Sequence, residues 1–484
     1  MHEETLKDKT AKGLFWGGIS NVLQQILGLV FGIILLRVLD AKDYGMVGML
    51  AVFMGIASTI QESGFTAALI NKKDFKHEDY NAVFWFNILT GVAIYIILFF
   101  FAPLIAEFYE KPELIDLSRF LFVGIVFAGV GIAHNAVLAK KLMVKERAKI
   151  DVMSLLLSGV VGVALALNGF AYWGLAVQSV TYIVVSTFLK WYFSPWQPTL
   201  YIDFIPLKNM FSFSIKLFLT NIFWQLNTNI FSVLLGKFYS TKDVGYYSQG
   251  NKWTIMGSTV IVGMINGIAQ PVLTQMNNDV ERQRNAFRKM LRFGAFISFP
   301  LMLGLAFVGK EFLLIAGGEK WLPSVPFLQL FSIWGAAYYI WHLYINLLIS
   351  HGKSNVYLSG MLLVGLLQLA VVSLMFSYGI FYMVFFYIVA YYIGLFFLHY
   401  YVKKIIGLDF LMFLKDVIPY LLITLGTFFI TWILTVKIDN LYVLFVSKIM
   451  ISTIIYILIM WKSNSVIFRE SLTYLKLDKL FFRK

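Results

Sequence analysis

The sequence contains no cysteine, and only 14% of its 484 residues are charged. Without a thiol there can be neither a disulfide nor a thiolate metal site. Soluble domains carry about a quarter charged residues, so this chain has too few to cover a water-facing surface. It also lacks a Gly-rich phosphate loop, a metal-type histidine cluster and a nucleophile elbow. No segment between its apolar runs is long enough to hold a catalytic domain. A conventional enzyme fits this pattern poorly.

What is present is apolar: 59% of the residues are hydrophobic. They fall in runs of roughly 20 residues, enough to cross a ~30 Å hydrocarbon core. Backbone groups in lipid must be satisfied internally, and the runs are too long for barrel strands, so an all-α polytopic membrane protein is predicted. The polar leader MHEETLKDKTAKG runs into an apolar stretch from Leu14 to Leu36. That stretch is too long for a signal peptide and lacks a small-residue cleavage site, so it predicts a retained first span. Fourteen spans are predicted: 13–36, 45–70, 81–105, 115–138, 150–168, 172–193, 209–235, 246–275, 287–308, 325–350, 355–377, 380–402, 417–436 and 440–461. The tight connections LNGFAYWG (167–174) and FSYGIFY (376–382) read as hairpins, with Gly169 and Gly379 as turn residues.

Charge distribution tests this count. With the N-terminus cytoplasmic, the cytoplasmic segments hold 28 Lys+Arg against 15 Asp+Glu, and the outer segments 9 against 10. This is the positive-inside rule, and it predicts that both termini are cytoplasmic. The net charge of +14 therefore reflects topology and attraction to anionic lipid, at ~1 kcal/mol per cation, and a nucleic-acid partner is not expected. Lys216, Lys252, Lys448 and Glu62 fall within predicted spans.

One short stretch occurs twice. RVLDAKDYG at 37–45 is echoed by KFYSTKDVG at 237–245, and without a gap residues 20–47 lie over residues 220–247. Asn21 meets Asn221, Gln25 meets Gln225, and Arg37 meets Lys237. Six predicted spans separate the copies, so both run in the same direction: a parallel repeat of six-helix bundles, as in transporters. The expected domains are 1–200 (spans one to six), 201–403 (spans seven to twelve) and 404–484 (two further spans and a basic cytoplasmic tail). Within the motif, Arg37 and Lys237 complement a helix C-terminus, and Asp43 and Asp243 are suited to cap the next helix.

RVLDAKDYGMVGML followed by ESGFTAALINKKD resembles the opening of polysaccharide flippases of the multidrug/oligosaccharidyl-lipid/polysaccharide exporter superfamily, which typically show Arg-x-Leu-x-x-x-x-Asp/Glu-Phe/Tyr-Gly there. LLGKFYSTKDVGYYSQGNKW and QPVLTQMNNDVERQRNAFRKML are similar to stretches of the lipopolysaccharide and colanic-acid branch. The resemblance spans roughly 12–400. It implies a V-shaped pair of bundles around a central cavity, open alternately to each side of the cytoplasmic (inner) membrane. It also implies a lipid-diphosphate-linked oligosaccharide as substrate, for O-antigen or other surface polysaccharide, with polymerase or glycosyltransferases of the same pathway as partners. No cofactor is expected beyond a coupling H+ or Na+. The rival readings are a peptidoglycan-precursor flippase, a small-molecule exporter of the superfamily (whose drug exporters usually have twelve spans), and, more remotely, a membrane polymerase or ligase.

Moving such a lipid requires cations for its phosphates and hydrogen-bonding groups for its sugars inside the membrane, where ionisable groups are costly. Lys216 and Lys252 are the candidate diphosphate cations, Lys216 on entry and Lys252 on release. Thr220, Asn221, Gln225 and Asn227 follow Lys216, with Thr228 and Asn229 beside them. Asn21, Gln24 and Gln25, with Ser20, form the matching cluster of the first span. These amides either line a shared wet cavity or bond neighbouring helices together. Arg292 ends a basic amphipathic run that could guide a diphosphate, Glu62 and His134 are candidates for ion coupling, and Trp16, Trp224 and Trp341 for sugar stacking or packing.

Overall fold

A computed structural model describes the backbone of residues 6–62, 69, 76–463 and 465–474, and the side chains of 16–62, 69, 76–208, 221–463 and 465–473. Among the described residues every regular element is helical: α1 (Leu6–Val38), α2 (Ala41–Glu62), α3 (His77–Tyr109), α4 (Leu114–Lys140), α5 (Val144–Leu167), α6 (Tyr172–Phe193), α7 (Ile205–Phe238), α8 (Thr241–Gln275), α9 (Val280–Phe307), α10 (Gly309–Gly317), α11 (Val325–Ser350), α12 (Ser354–Met375), α13 (Ile380–Ile406), α14 (Phe410–Thr435), α15 (Leu441–Lys462) and α16 (Val466–Tyr474). The all-helical membrane class is as expected. Among the described residues, 12 helices, at twelve of the fourteen predicted spans, are long and apolar enough to cross a membrane. The two long helices outside that set are amide-rich α7 and Trp-, Tyr- and His-rich α11. Span number therefore does not separate this chain from the twelve-span drug exporters. Both tight hairpins form, and the chain reverses at Gly169 (φ 84°) and Gly379 (φ 96°), where a side chain would be strained.

The chain packs as two compact units, 1–248 and 249–484. In the N-terminal unit α1 lies on α5, α5 and α4 on α6, α3 on α4, and α2 on α4 and α7. The helix that opens the second repeat thus packs within this unit. The linker before it is strapped to the start of α3: Asn81 accepts from the Thr199 N–H at 2.9 Å, and Trp85 Nε1 donates to the Thr199 carbonyl at 2.7 Å.

The repeated turn explains itself here. Asp43 accepts from the Asp40 N–H (2.9 Å), and Asp243 accepts from the N–H and hydroxyl of Ser240 (3.1 and 2.6 Å). Each aspartate reaches back from the first turn of its helix, as in a capping box. The two turns also pack on each other reciprocally. A Cβ on Gly45 would lie 1.8 Å from the Thr241 carbonyl oxygen, and one on Gly245 would lie 1.9 Å from that of Ala41. Each glycine thus lies against the backbone of the other copy of the turn.

Gln61 ties three helices together. Only 1% exposed, it donates to the Ile125 carbonyl of α4 at 2.8 Å and to the Asn87 carbonyl of α3 at 3.3 Å. Its amide nitrogen occupies space left open by Gly91 and Gly129, where a Cβ would come within 2.4 and 2.3 Å. Gln61→Leu keeps most of the volume but removes both bonds and sets apolar carbon against two carbonyls. It is expected to cost ~2 kcal/mol, read as a lower melting temperature of the detergent-solubilised protein.

The C-terminal unit is built around α11, against which α9 and α13 pack, with α14 and α15 added outside α9. Tyr339 and Tyr344 of α11 are fully buried. The Tyr339 hydroxyl donates to the Leu291 carbonyl (3.2 Å), and the Tyr344 hydroxyl pairs with His399 Nδ1 of α13 (2.9 Å). The last helices belong to this core: the Tyr456 hydroxyl of α15 donates to the Phe296 carbonyl of α9 at 2.8 Å.

Candidate functional site

The polar residues of α7 divide between two faces. Asn221, Trp224 and Thr228, three and four residues apart, form one exposed strip. The remaining amides turn inward. Gln225 packs on α2, its Oε1 2.6 Å from where a Gly55 Cβ would stand, and it accepts from Asn229 Nδ2 at 3.1 Å. Asn227 is buried. Lys216 and Thr220 lie in α7 but outside the residues whose side chains are described. On α1, Ser20 is buried and accepts from Gln24 Nε2 at 3.0 Å, Gln25 is half-buried, and Asn21 is exposed like its repeat mate Asn221. The hydrogen bonds of these amides run within their own helices, Gln24 to Ser20 and Asn229 to Gln225, while Asn21, Asn221 and Thr228 are exposed.

The coupling candidates sit apart. Glu62 is exposed at the end of α2, within electrostatic reach of Lys190 in α6, which also feels Asp151 and Arg147 of α5. That four-residue charge cluster could not be read from the sequence, because its members come from three separate spans. His134 is fully buried in an aromatic box, its ring centroid 4.7 Å from Trp191 and 5.1 Å from Trp196. Neither of its ring nitrogens has a hydrogen-bond partner among the described residues.

In the C-terminal unit Lys252 is half-buried on α8 with its ammonium 5.3 Å from the Trp253 ring centroid; Trp253 in turn packs edge-on against Phe312 of α10 at 5.0 Å. The neighbouring Gln249 is buried, and its Oε1 has no hydrogen-bond partner among the described residues. Arg292 is not a free guide. It lies 3.6 Å from Asp416 of α14, which Arg288 already holds in a two-pronged pair at 2.6 and 3.1 Å. Trp16 is half-buried beneath Lys145 (5.2 Å), Trp224 is 41% exposed, and Trp341 is core, packed on Tyr391 at 5.3 Å.

A second strip was missed. Trp334, Tyr338, His342 and Asn346 recur every four residues on α11, and successive rings meet at 4.5 Å (Trp334–Tyr338) and 4.7 Å (Tyr338–His342). Asn346 Nδ2 donates to Asn266 Oδ1 of α8 at 2.8 Å. Trp334, Tyr338 and His342 are half-buried and Asn266 is exposed. The four-residue spacing was the available signal, hidden in a run where aromatic residues are common. Among the described residues no group of three or more His, Asp or Glu is placed to hold a metal.

Amides, hydroxyls and aromatic rings in strips along apolar membrane helices, with lysines rather than a catalytic constellation, define a polytopic membrane protein built to hold polar groups within its helices. The polysaccharide biosynthesis protein family matches residues 34–326, more than half of the chain, and the chain belongs to that family. It is 27% identical over 326 residues to the teichuronic acid biosynthesis protein TuaB of Bacillus subtilis, covering 67% of each chain. It is 26% identical over 337 residues to the lipopolysaccharide biosynthesis protein WzxC of Escherichia coli, covering 68% of each. Its fold is that of the lipid II flippase MurJ in an inward closed conformation, with a TM-score of 0.75 at 17% identity, covering 94% of this chain and 99% of that one.

Proposed function

We propose that this chain is a flippase that moves a lipid-diphosphate-linked oligosaccharide across the cytoplasmic membrane by alternating access, for surface-polysaccharide assembly. The observation that carries the reading is family membership combined with a polar–aromatic strip in each unit, Asn221–Trp224–Thr228 on α7 and Trp334–Tyr338–His342 on α11. Sugar rings stack on aromatic faces while their hydroxyls bond amides, so such strips suit a glycan passing along a helix. The two relatives act in teichuronic acid and lipopolysaccharide biosynthesis by name, and the flippase fold supports translocation over synthesis.

The positive-inside pattern supports cytoplasmic termini. That orientation puts Lys216 toward the entry side of α7. Lys252 then meets the diphosphate later in the cycle, while the isoprenoid tail remains in lipid. A coupling H+ or Na+ would act through Glu62 or His134, and a polymerase or glycosyltransferase of the pathway would supply or consume the substrate. The test is complementation of a flippase-null strain. Lys252→Ala is expected to lower surface polysaccharide at least roughly tenfold, the scale of one lost charge-assisted contact, with normal protein level in the membrane. Wild-type polysaccharide in that variant would remove Lys252 from the mechanism. Failure of the intact protein to flip lipid-linked oligosaccharide in reconstituted vesicles would remove the function itself.

A further inference from the structure

Where the two copies of the turn meet there is a cavity of about 370 Å³, lined by Lys42, Lys111, Lys237, Lys242, Glu110 and Tyr239 among others. Lys42 and Lys242 are the same position of the two copies, and both line this cavity beside the reciprocal glycine contacts. Lys237 is the repeat mate of Arg37 and pairs with Glu110 at 2.9 Å. We propose that this pocket is an anion site of the diphosphate class, assembled from the two copies of the turn.

Four lysines face one carboxylate. The hydrogen bond and charge of Lys237, with a smaller contribution from Lys111, hold the Glu110 carboxyl below its ordinary range, and one carboxylate against four lysines leaves three positive charges in excess. The turns' own carboxylates, Asp40, Asp43 and Asp243, are not among the lining residues; Asp43 and Asp243 point back to the Asp40 N–H and to Ser240 at the start of their helices. Three surplus lysines in one cavity match a multiply charged anion better than a single carboxylate, because each phosphate oxygen can take a charge-assisted bond. The volume falls in the range of small-ligand sites.

Position adds a second argument. Lys237 ends α7, some 20 residues beyond Lys216 on the same helix, which at 1.5 Å per residue is about 30 Å, the thickness of the hydrocarbon core. In the orientation favoured by the loop charges this is the outer face, where the whole chain places 9 Lys and Arg. Positive residues are normally thinned on that side, yet four of them line this one cavity. The identity of the ligand as the carrier's diphosphate rests on the flippase reading; the anion site itself rests on the geometry.

The test is isothermal titration of the purified full-length protein in nanodiscs with inorganic pyrophosphate and, separately, with a short isoprenyl diphosphate. Lys42→Gln/Lys242→Gln is expected to weaken pyrophosphate binding roughly tenfold, Lys111→Gln to weaken it several-fold, and Glu110→Gln, which releases Lys237, to tighten it. Tighter binding of the isoprenyl compound than of pyrophosphate would assign the lipid carrier as the source; equal affinity would assign the free anion. Wild-type affinity in both the double variant and Lys111→Gln, or no binding by the intact protein, would overturn the proposal. Because binding is read without transport, a failed flipping assay leaves this result standing, and the reverse also holds.

Discussion

Gly45→Ala and Gly245→Ala are each expected to lower the melting temperature of the solubilised protein by several degrees, from a loss of about 3 kcal/mol apiece. The added methyl in each case would lie under 2 Å from a carbonyl oxygen of the opposite turn, at Thr241 and Ala41 respectively. A backbone oxygen cannot rotate aside as a side-chain tip can, so one whole turn must shift. The shift would also strain the capping bonds of Asp43 and Asp243. Because both glycines serve one interface, the double variant should fall short of the sum of the singles. Gly18→Ala is the control. A Cβ there meets nothing within 4 Å, so this helical position is expected to be neutral or slightly stabilised. Equal melting of Gly45→Ala, Gly245→Ala and Gly18→Ala would show that the two turns do not touch.

That contact also marks what can be read from the sequence. Helix positions and hairpins were legible because bilayer-length apolar runs and Gly169 and Gly379 announce themselves locally. The repeat was legible too, since Lys-Asp-x-Gly recurs in register. That its two copies would meet, with Lys42 and Lys242 around one cavity, was not, because sequence offset carries no distance. The two predicted spans outside the twelve apolar ones are α7 and α11, where amides, Tyr, Trp and His dilute the hydrophobic run. Among candidate site residues, intramembrane rarity singled out Lys252, but its neighbours Trp253 and Phe312, and the Trp191–Trp196 box around His134, come together only in the fold. Arg292 looked like a free guide because Asp416, its neighbour in space, lies more than a hundred residues away. Trp341 and Trp334 are chemically identical in sequence, yet one is core and the other half-exposed, a difference set by a rotation about α11.

Lys448 shows the same limit with the largest consequence for stability. In sequence it is a lone cation in the last span, while Glu311 reads as a loop residue. In the fold, α10 carries Glu311 against α15, and the Lys448 ammonium donates to Glu311 Oε1 at 2.8 Å while lying 4.6 Å from the Phe307 ring centroid. Both side chains are nearly closed off, 10% and 8% exposed. Removing one partner leaves the other charge buried, at a cost of about 3–5 kcal/mol. Glu311→Gln is therefore expected to destabilise the protein strongly, although the Phe307 face retains part of the cation's stabilisation, on the order of 1–2 kcal/mol. Lys448→Met should be at least as damaging, because the stranded carboxylate has no aromatic face, and its Oε2 already makes no hydrogen bond among the described residues. Combining the two changes removes both charges at nearly constant volume, so Glu311→Gln/Lys448→Met should recover most of the lost melting temperature. A double variant as unstable as the two losses added together would mean that the two groups do not act as a pair, and α10 would then be held to α15 by apolar packing alone.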